Sequence, residues 1–202
     1  MINGYVADID APFVSCDDAA AILIPVRHLH ELGHRRIGLA IGPRRYTPVI
    51  RKVASFETSM RSVVGVDDPA SLIATTDFSV DGGDAAARML IDRGCTAIIC
   101  GSDMMALGAI RALRAQGLDV PHDVSVVGFD NSPMLDFTDP PLTSVHQPVE
   151  AMGAVATTAL IDEIGGRLAP RAEVIFRPEL IVRESTGPAR DHAYQERART
   201  GT

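Results

Sequence analysis

The sequence predicts an α/β protein, a parallel sheet flanked by helices, and three observations carry that expectation. Short apolar runs at residues 36–41, 97–100 and 124–129 have the length and composition of strands buried on both faces. The segments LHELGHRRIGLAIG, LIDRGCTAIICGSD and LRAQGLDVPHDVSVVGFD each read helix, glycine, strand, then a small or polar residue. Their spacing is irregular, which describes a repeated α/β unit rather than a solenoid. Strands joined through such helices run parallel with right-handed crossovers.

The elements follow in order. Asp17 and Asp18 can cap a helix that runs to about Leu32 and stops at Gly33, although Pro25 should kink it or delay its start. A strand at 36–41 ends on Gly42-Pro43, and a basic loop from Arg44 to Lys52 leads into a helix carrying Phe56 and Met60. A strand at 72–76 ends on Asp77-Phe78, and Ser79 or Asp81 caps the helix that stops at Gly94.

The segment from Thr96 to Asn131 organises the chain. Ala97-Ile98-Ile99-Cys100 forms a strand, Ser102 stands at a helix N-cap, and Met104, Leu107, Ile110 and Leu113 recur along the helix as its apolar stripe. Gly117 and Pro121 end that helix, and the strand at 124–129 closes on Asp130-Asn131. Beyond Pro140-Pro141 lie an extended crossover at 142–147 and a helix from Pro148 to about Ile164. Residues 174–176 and 180–182 form two short strands or one interrupted edge strand. The stretch 189–202 is polar and aperiodic, as expected of a disordered tail.

Ligands of open α/β sheets bind at the carboxyl ends of the strands. Gly42, Asp77-Phe78, Ser102 and Asp130 all stand at such ends and should rim one cleft. Composition narrows the partners. At 202 residues, with 46% hydrophobic and 22% charged, the chain can form one large domain or two small lobes. A net charge of −7 with no long basic block makes it a poor nucleic-acid binder by itself. No apolar run reaches membrane-spanning length, and MINGYVADID lacks the regions of a signal peptide. Cys16, Cys95 and Cys100 have no paired spacing, consistent with reduced thiols in a cytoplasmic protein.

The segments GSDMMALGAIRALRAQGLDVPHDVSVVGFDNSP, PPLTSVHQPVEAMG and RPELIVRES together resemble the effector-binding core of the LacI/GalR transcription regulators, over about residues 2–187. The resemblance implies a periplasmic-binding-protein-like fold, a small polar effector such as a sugar, no cofactor, no membrane partner and a homodimer. It also implies that operator DNA is contacted only through a helix-turn-helix headpiece, which the matched region lacks. Residues 1–36 and 146–166 are then a remnant of the N-terminal lobe, 37–145 and 167–187 a complete C-terminal lobe, and 188–202 the tail. A half lobe leaves an unpaired sheet edge and uncovered helix faces, so self-association is expected.

Carried over residue by residue, the resemblance makes Asp130 an effector hydrogen-bond acceptor, Phe78 a stacking platform and Ser102 a short polar contact. Lys52, with Arg51 beside it, stands where the family has arginine, but lysine cannot make arginine's planar two-pronged contact. Asn3 matches a contact from the N-terminal lobe. Residue type alone leaves other roles open: Phe78 as core, Asp130 as a turn cap, and the basic run 44–52 as a solvated face. His28, His30 and His34 do not share a helix face, which disfavours a metal site. No nucleophile–base pair or phosphate loop points to an enzyme. A transporter's sugar-binding protein shares the implied fold and is the alternative function.

Overall fold

The computed structural model describes residues 1–3, 9, 11–167 and 171–190. Its elements are β1 (Phe13–Cys16), α1 (Asp18–Glu31), β2 (Ile37–Ile41), α2 (Thr47–Ser59), β3 (Ile73–Thr75), α3 (Val80–Asp92), β4 (Ala97–Cys100) and α4 (Asp103–Ala115). They continue with β5 (Ser125–Asp130), β6 (Ser144–His146), α5 (Val149–Ile164), β7 (Glu173–Phe176) and β8 (Glu179–Ile181). A six-stranded sheet has the order β3-β2-β4-β5-β6-β8, parallel except for β8, which runs antiparallel to β6. The chain leaves β2 towards β3 and then returns past β2 to β4 and β5. With right-handed crossovers, that reversal puts α2 on one face and α3 with α4 on the other. It also creates a switch point between β2 and β4, where neighbouring loops diverge and leave a crevice.

Local chemistry fixes the helix ends. The Asp17 carboxylate accepts from the backbone N–H groups of Ala19 and Ala20 at 3.1 and 3.0 Å, and Ser79 and Ser102 accept from Gly82 and Met105 in the same way. Gly33, Gly94 and Gly117 take the left-handed conformation just past α1, α3 and α4. Pro25 does not delay α1, which runs continuously from Asp18 through it. The lost backbone bond costs about 3 kcal/mol. Complete burial of Ala21, Ile22, Val26 and Leu29 on the same helix outweighs that cost.

Helix α4 buries Ile110 and Leu113 of the predicted stripe, and its packed face is wider than that stripe. Met104 lies half exposed, while Met105, Ala106, Ala109, Ala112 and Leu113 are buried. The reason is the closeness of α3: a Cβ on Gly108 would stand 1.9 Å from the Val80 carbonyl oxygen, and one on Gly83 2.0 Å from that of Met105. Small residues therefore join Ile110 and Leu113 on the packed face.

The division into lobes also differs from expectation. Helix α1, assigned by sequence to the N-terminal remnant, packs against α2 and contributes to the larger core. Strand β7, assigned to the C-terminal lobe, instead pairs in parallel with β1 in a separate two-stranded sheet. Helix α5 covers that sheet through Met152, which joins Val14 and Cys16 in a small core of its own. Residues 188–190 are held, since Ala189 donates to the Leu32 carbonyl and Arg190 pairs with Asp123. The predicted disorder of 191–202 lies outside the described residues.

His34 is a core histidine whose ring meets Thr96, Ser125 and the Gly187 carbonyl, and burial lowers its pKa. The three cysteines are buried and free, and burial raises their pKa values. Among the described residues, no helix is long and apolar enough to cross a membrane.

Candidate functional site

A cleft of about 450 Å³ opens at the switch point. Five of the six residues proposed from sequence line it: Asn3, Lys52, Phe78, Ser102 and Asp130. Arg51 does not. It points into the neighbouring groove between α1 and α2, where its two terminal nitrogens donate to the Glu173 carboxylate at 2.7 and 3.0 Å. Adjacent residues on a helix project about 100° apart, so only one of Arg51 and Lys52 can face the cleft.

The floor is aromatic. Phe78 follows β3, and its ring lies across the carboxyl ends of β2 and β4. A Cβ on Gly42 would come within 2.1 Å of that ring, and one on Gly101 within 3.1 Å. Two glycines thus seal one side of the ring against backbone, and the side chain remains 43% exposed towards the cleft.

The acidic wall is the turn after β5. Asp130 and Asn131 both have positive φ, 113° and 57°, an uncommon and costly state for residues other than glycine. Neighbouring groups hold it. Gln147 donates to the Asp130 carboxylate at 2.7 Å and accepts from the Asn3 side-chain amide at 3.1 Å. The Asn3 carbonyl in turn accepts from the Cys16 backbone, tying this chain of contacts to β1. Although Asp130 reaches the open cleft, desolvation by the surrounding walls pushes its carboxyl up to about 6. The bond from Gln147 works against that shift, and the nearby Asp103 charge works with it.

Lys52 reaches the cleft from α2. Its ammonium is buried, ion-paired with the equally buried Asp18, and sits 4.4 Å from the centre of the Phe129 ring. Burial raises the Asp18 carboxyl, and Lys52 partly draws it back down. The lysine therefore braces the wall with its charge already committed. Ser102 lines the cleft, but its hydroxyl also caps α4.

Sequence reasoning missed Tyr46 and Gln147 as parts of the wall. Tyr46 lies in a basic loop with no periodic signal. Gln147 belonged to the quoted HQPVE segment, but only the fold carries it to Asp130.

A doubly wound sheet with an open aromatic and acidic cleft at its switch point defines a small-molecule-binding lobe. The family model described as a periplasmic binding protein-like domain matches residues 26–186. The chain belongs to this family, in the form carried by LacI-type transcription regulators. The HTH-type transcriptional regulator reg1 of Streptomyces lividans is 52% identical over 193 residues, 94% of this chain and 56% of the relative. The HTH-type transcriptional repressor CytR of Escherichia coli K12 is 36% identical over 188 residues, 92% of this chain and 55% of the relative. The CelR–cellobiose complex is 34% identical with a TM-score of 0.82, over 90% of this chain and 57% of that one. A LacI family regulator from Enterococcus faecium with bound ribose is 26% identical with a TM-score of 0.84, over 94% of this chain and 70% of that one. These relatives are regulators, not enzymes. The chain spans just over half the length of the two curated relatives, 56% and 55%.

Proposed function

We propose that this chain is the effector-sensing core of a bacterial LacI-type transcription regulator and that its cleft binds a small hydroxylated effector, a sugar. The observation that carries the reading is the joint presence of Asp130 and Phe78 in one cleft. A carboxylate accepts from sugar hydroxyls, while an aromatic face covers the C–H surface of the ring. The cellobiose and ribose bound to the two structural relatives support that ligand class. Asn3, Ser102 and Gln147 complete the polar contacts, and Lys52 acts from behind the wall.

The regulator works in the cytoplasm as a homodimer. Phe137, 89% exposed beside the exposed Met134, gives self-association an apolar surface. Operator DNA is contacted by a helix-turn-helix part, as in the relatives' names, and effector binding alters how the dimer presents it. This acidic chain alone should give no shifted complex with DNA in a gel-shift.

Isothermal titration with sugars, comparing the wild type with Asp130→Ala and Phe78→Ala, tests the reading. Both variants should lose at least tenfold in affinity while remaining folded. Unchanged affinity in both would remove the effector from this cleft.

A further inference from the structure

Building on the sugar-sensor reading, we infer that the effector is a neutral disaccharide whose second ring rests on Tyr46. Three observations lead there. Of the three aromatic side chains lining the cleft, Phe129 is buried and Tyr46 and Phe78 are exposed. Tyr46 and Phe78 are 44% and 43% exposed, with ring centres 6.4 Å apart and planes inclined by 45°. That spacing is of the order of the distance between linked sugar rings, so the two side chains form a bent, continuous platform.

Each platform ring is supported from behind. The glycines at 42 and 101 seal the back of Phe78. Arg45, which is outside the cleft lining, places its guanidinium 4.8 Å from the Tyr46 ring centre and donates to the Tyr46 hydroxyl at 2.9 Å. The first sugar ring sits on Phe78, close to Asp130 and Gln147, and the second extends over Tyr46 towards Pro48 and Met104. At about 450 Å³, the cleft falls within the range of sites that hold ligands larger than a single sugar ring.

Charge selects against sugar phosphates and sugar acids. Among the described residues lining the cleft, Lys52 is the one Lys or Arg, and Asp18 already neutralises it. Asp130 adds a carboxylate that repels an anionic ligand.

The test is calorimetric titration of the wild-type chain, Tyr46→Ala and Tyr46→Phe with maltose, cellobiose, glucose and glucose 6-phosphate. At least one disaccharide should bind about tenfold tighter than glucose, and glucose 6-phosphate should bind more weakly than glucose. Tyr46→Ala should abolish the disaccharide's advantage over glucose, and Tyr46→Phe should restore it. Glucose binding as tightly as both disaccharides, tighter binding of the phosphate, or equal losses for both sugar sizes in Tyr46→Ala would overturn the inference and leave the sugar sensor standing. A folded wild-type chain that binds none of the four would overturn both.

Discussion

The carboxylate of Asp103 accepts from the Ser144 hydroxyl at 2.7 Å through one oxygen and from the Ser132 backbone N–H at 2.8 Å through the other. The Ser144 oxygen also accepts from the Asn131 N–H at 3.1 Å. One buried acid thereby clamps both sides of the positive-φ turn that presents Asp130. Gly128 leaves room for it, since a Cβ there would lie 2.5 Å from an Asp103 oxygen.

Asp103→Asn removes the charge that strengthens both bonds and forces the Ser144 hydroxyl to turn from donor to acceptor. The expected cost is about 1–3 kcal/mol in stability. Sugar affinity should fall by more than tenfold, although the substituted side chain would touch no ligand. Calorimetry with chemical denaturation separates the two effects. Full affinity in Asp103→Asn would show that the turn holds its shape unaided.

The raised Asp130 carboxyl, at about 6, sets a pH dependence. Sugar hydroxyls need the ionised form as acceptor, so affinity should be level above pH 7 and fall towards tenfold per unit well below 6. For the unliganded protein the sign is opposite. The folded pKa is above the ordinary value of 3.8, so this group's contribution to stability is present below that value and lost as pH rises through 6. Asp130→Asn, whose side chain also tolerates positive φ, should melt no lower than wild type at pH 7.5 and bind sugar poorly with little pH dependence. A wild-type affinity profile that is flat from pH 5 to 8 would rule out the carboxylate as ligand acceptor.

The same two residues show how far the sequence could be read. Ser102 was visible as the N-cap of α4 and Asp130 as the end of a strand, because caps and strand ends have local signatures. The bond between Asp103 and Ser144 had none, since it spans 41 positions and depends on β5 lying beside β6. The pairing of β1 with β7 was hidden for the same reason: two short apolar runs some 160 residues apart carry no mark of each other. Arg51 and Lys52 were indistinguishable until α1 was seen to pack on α2 and deliver Asp18 to one of them. Tyr46 had the opposite problem, since an aromatic residue in a loop reads as surface until a second ring is found beside it.

Lys52 and Asp18 are 8% and 5% exposed, so each is the other's main compensation for burial. Removing only one should be costly. Lys52→Met leaves Asp18 buried and unpaired, and the expected loss is about 3–5 kcal/mol in urea unfolding. The double variant Lys52→Met/Asp18→Leu should recover much of that loss, because no charge then stays buried without a partner. Equal losses in the single and double variants would mean that the ammonium matters for its contact with Phe129 rather than for its pairing.

Gly42→Ala tests the aromatic floor without touching any polar group. The new methyl would fall 2.1–2.5 Å from three carbons of Phe78, well inside contact distance. The ring is partly exposed and carried on a loop, so it can move where backbone could not. The expected result is a displaced ring, sugar affinity at least tenfold lower, and a stability change of about 1 kcal/mol or less, as for a substitution beside a partly exposed site. Gly42→Ala combined with Phe78→Leu should relieve the clash and regain wild-type stability without regaining affinity. If Gly42→Ala alone binds sugar normally, the Phe78 ring has no part in holding the ligand, and the stacking role must be given up.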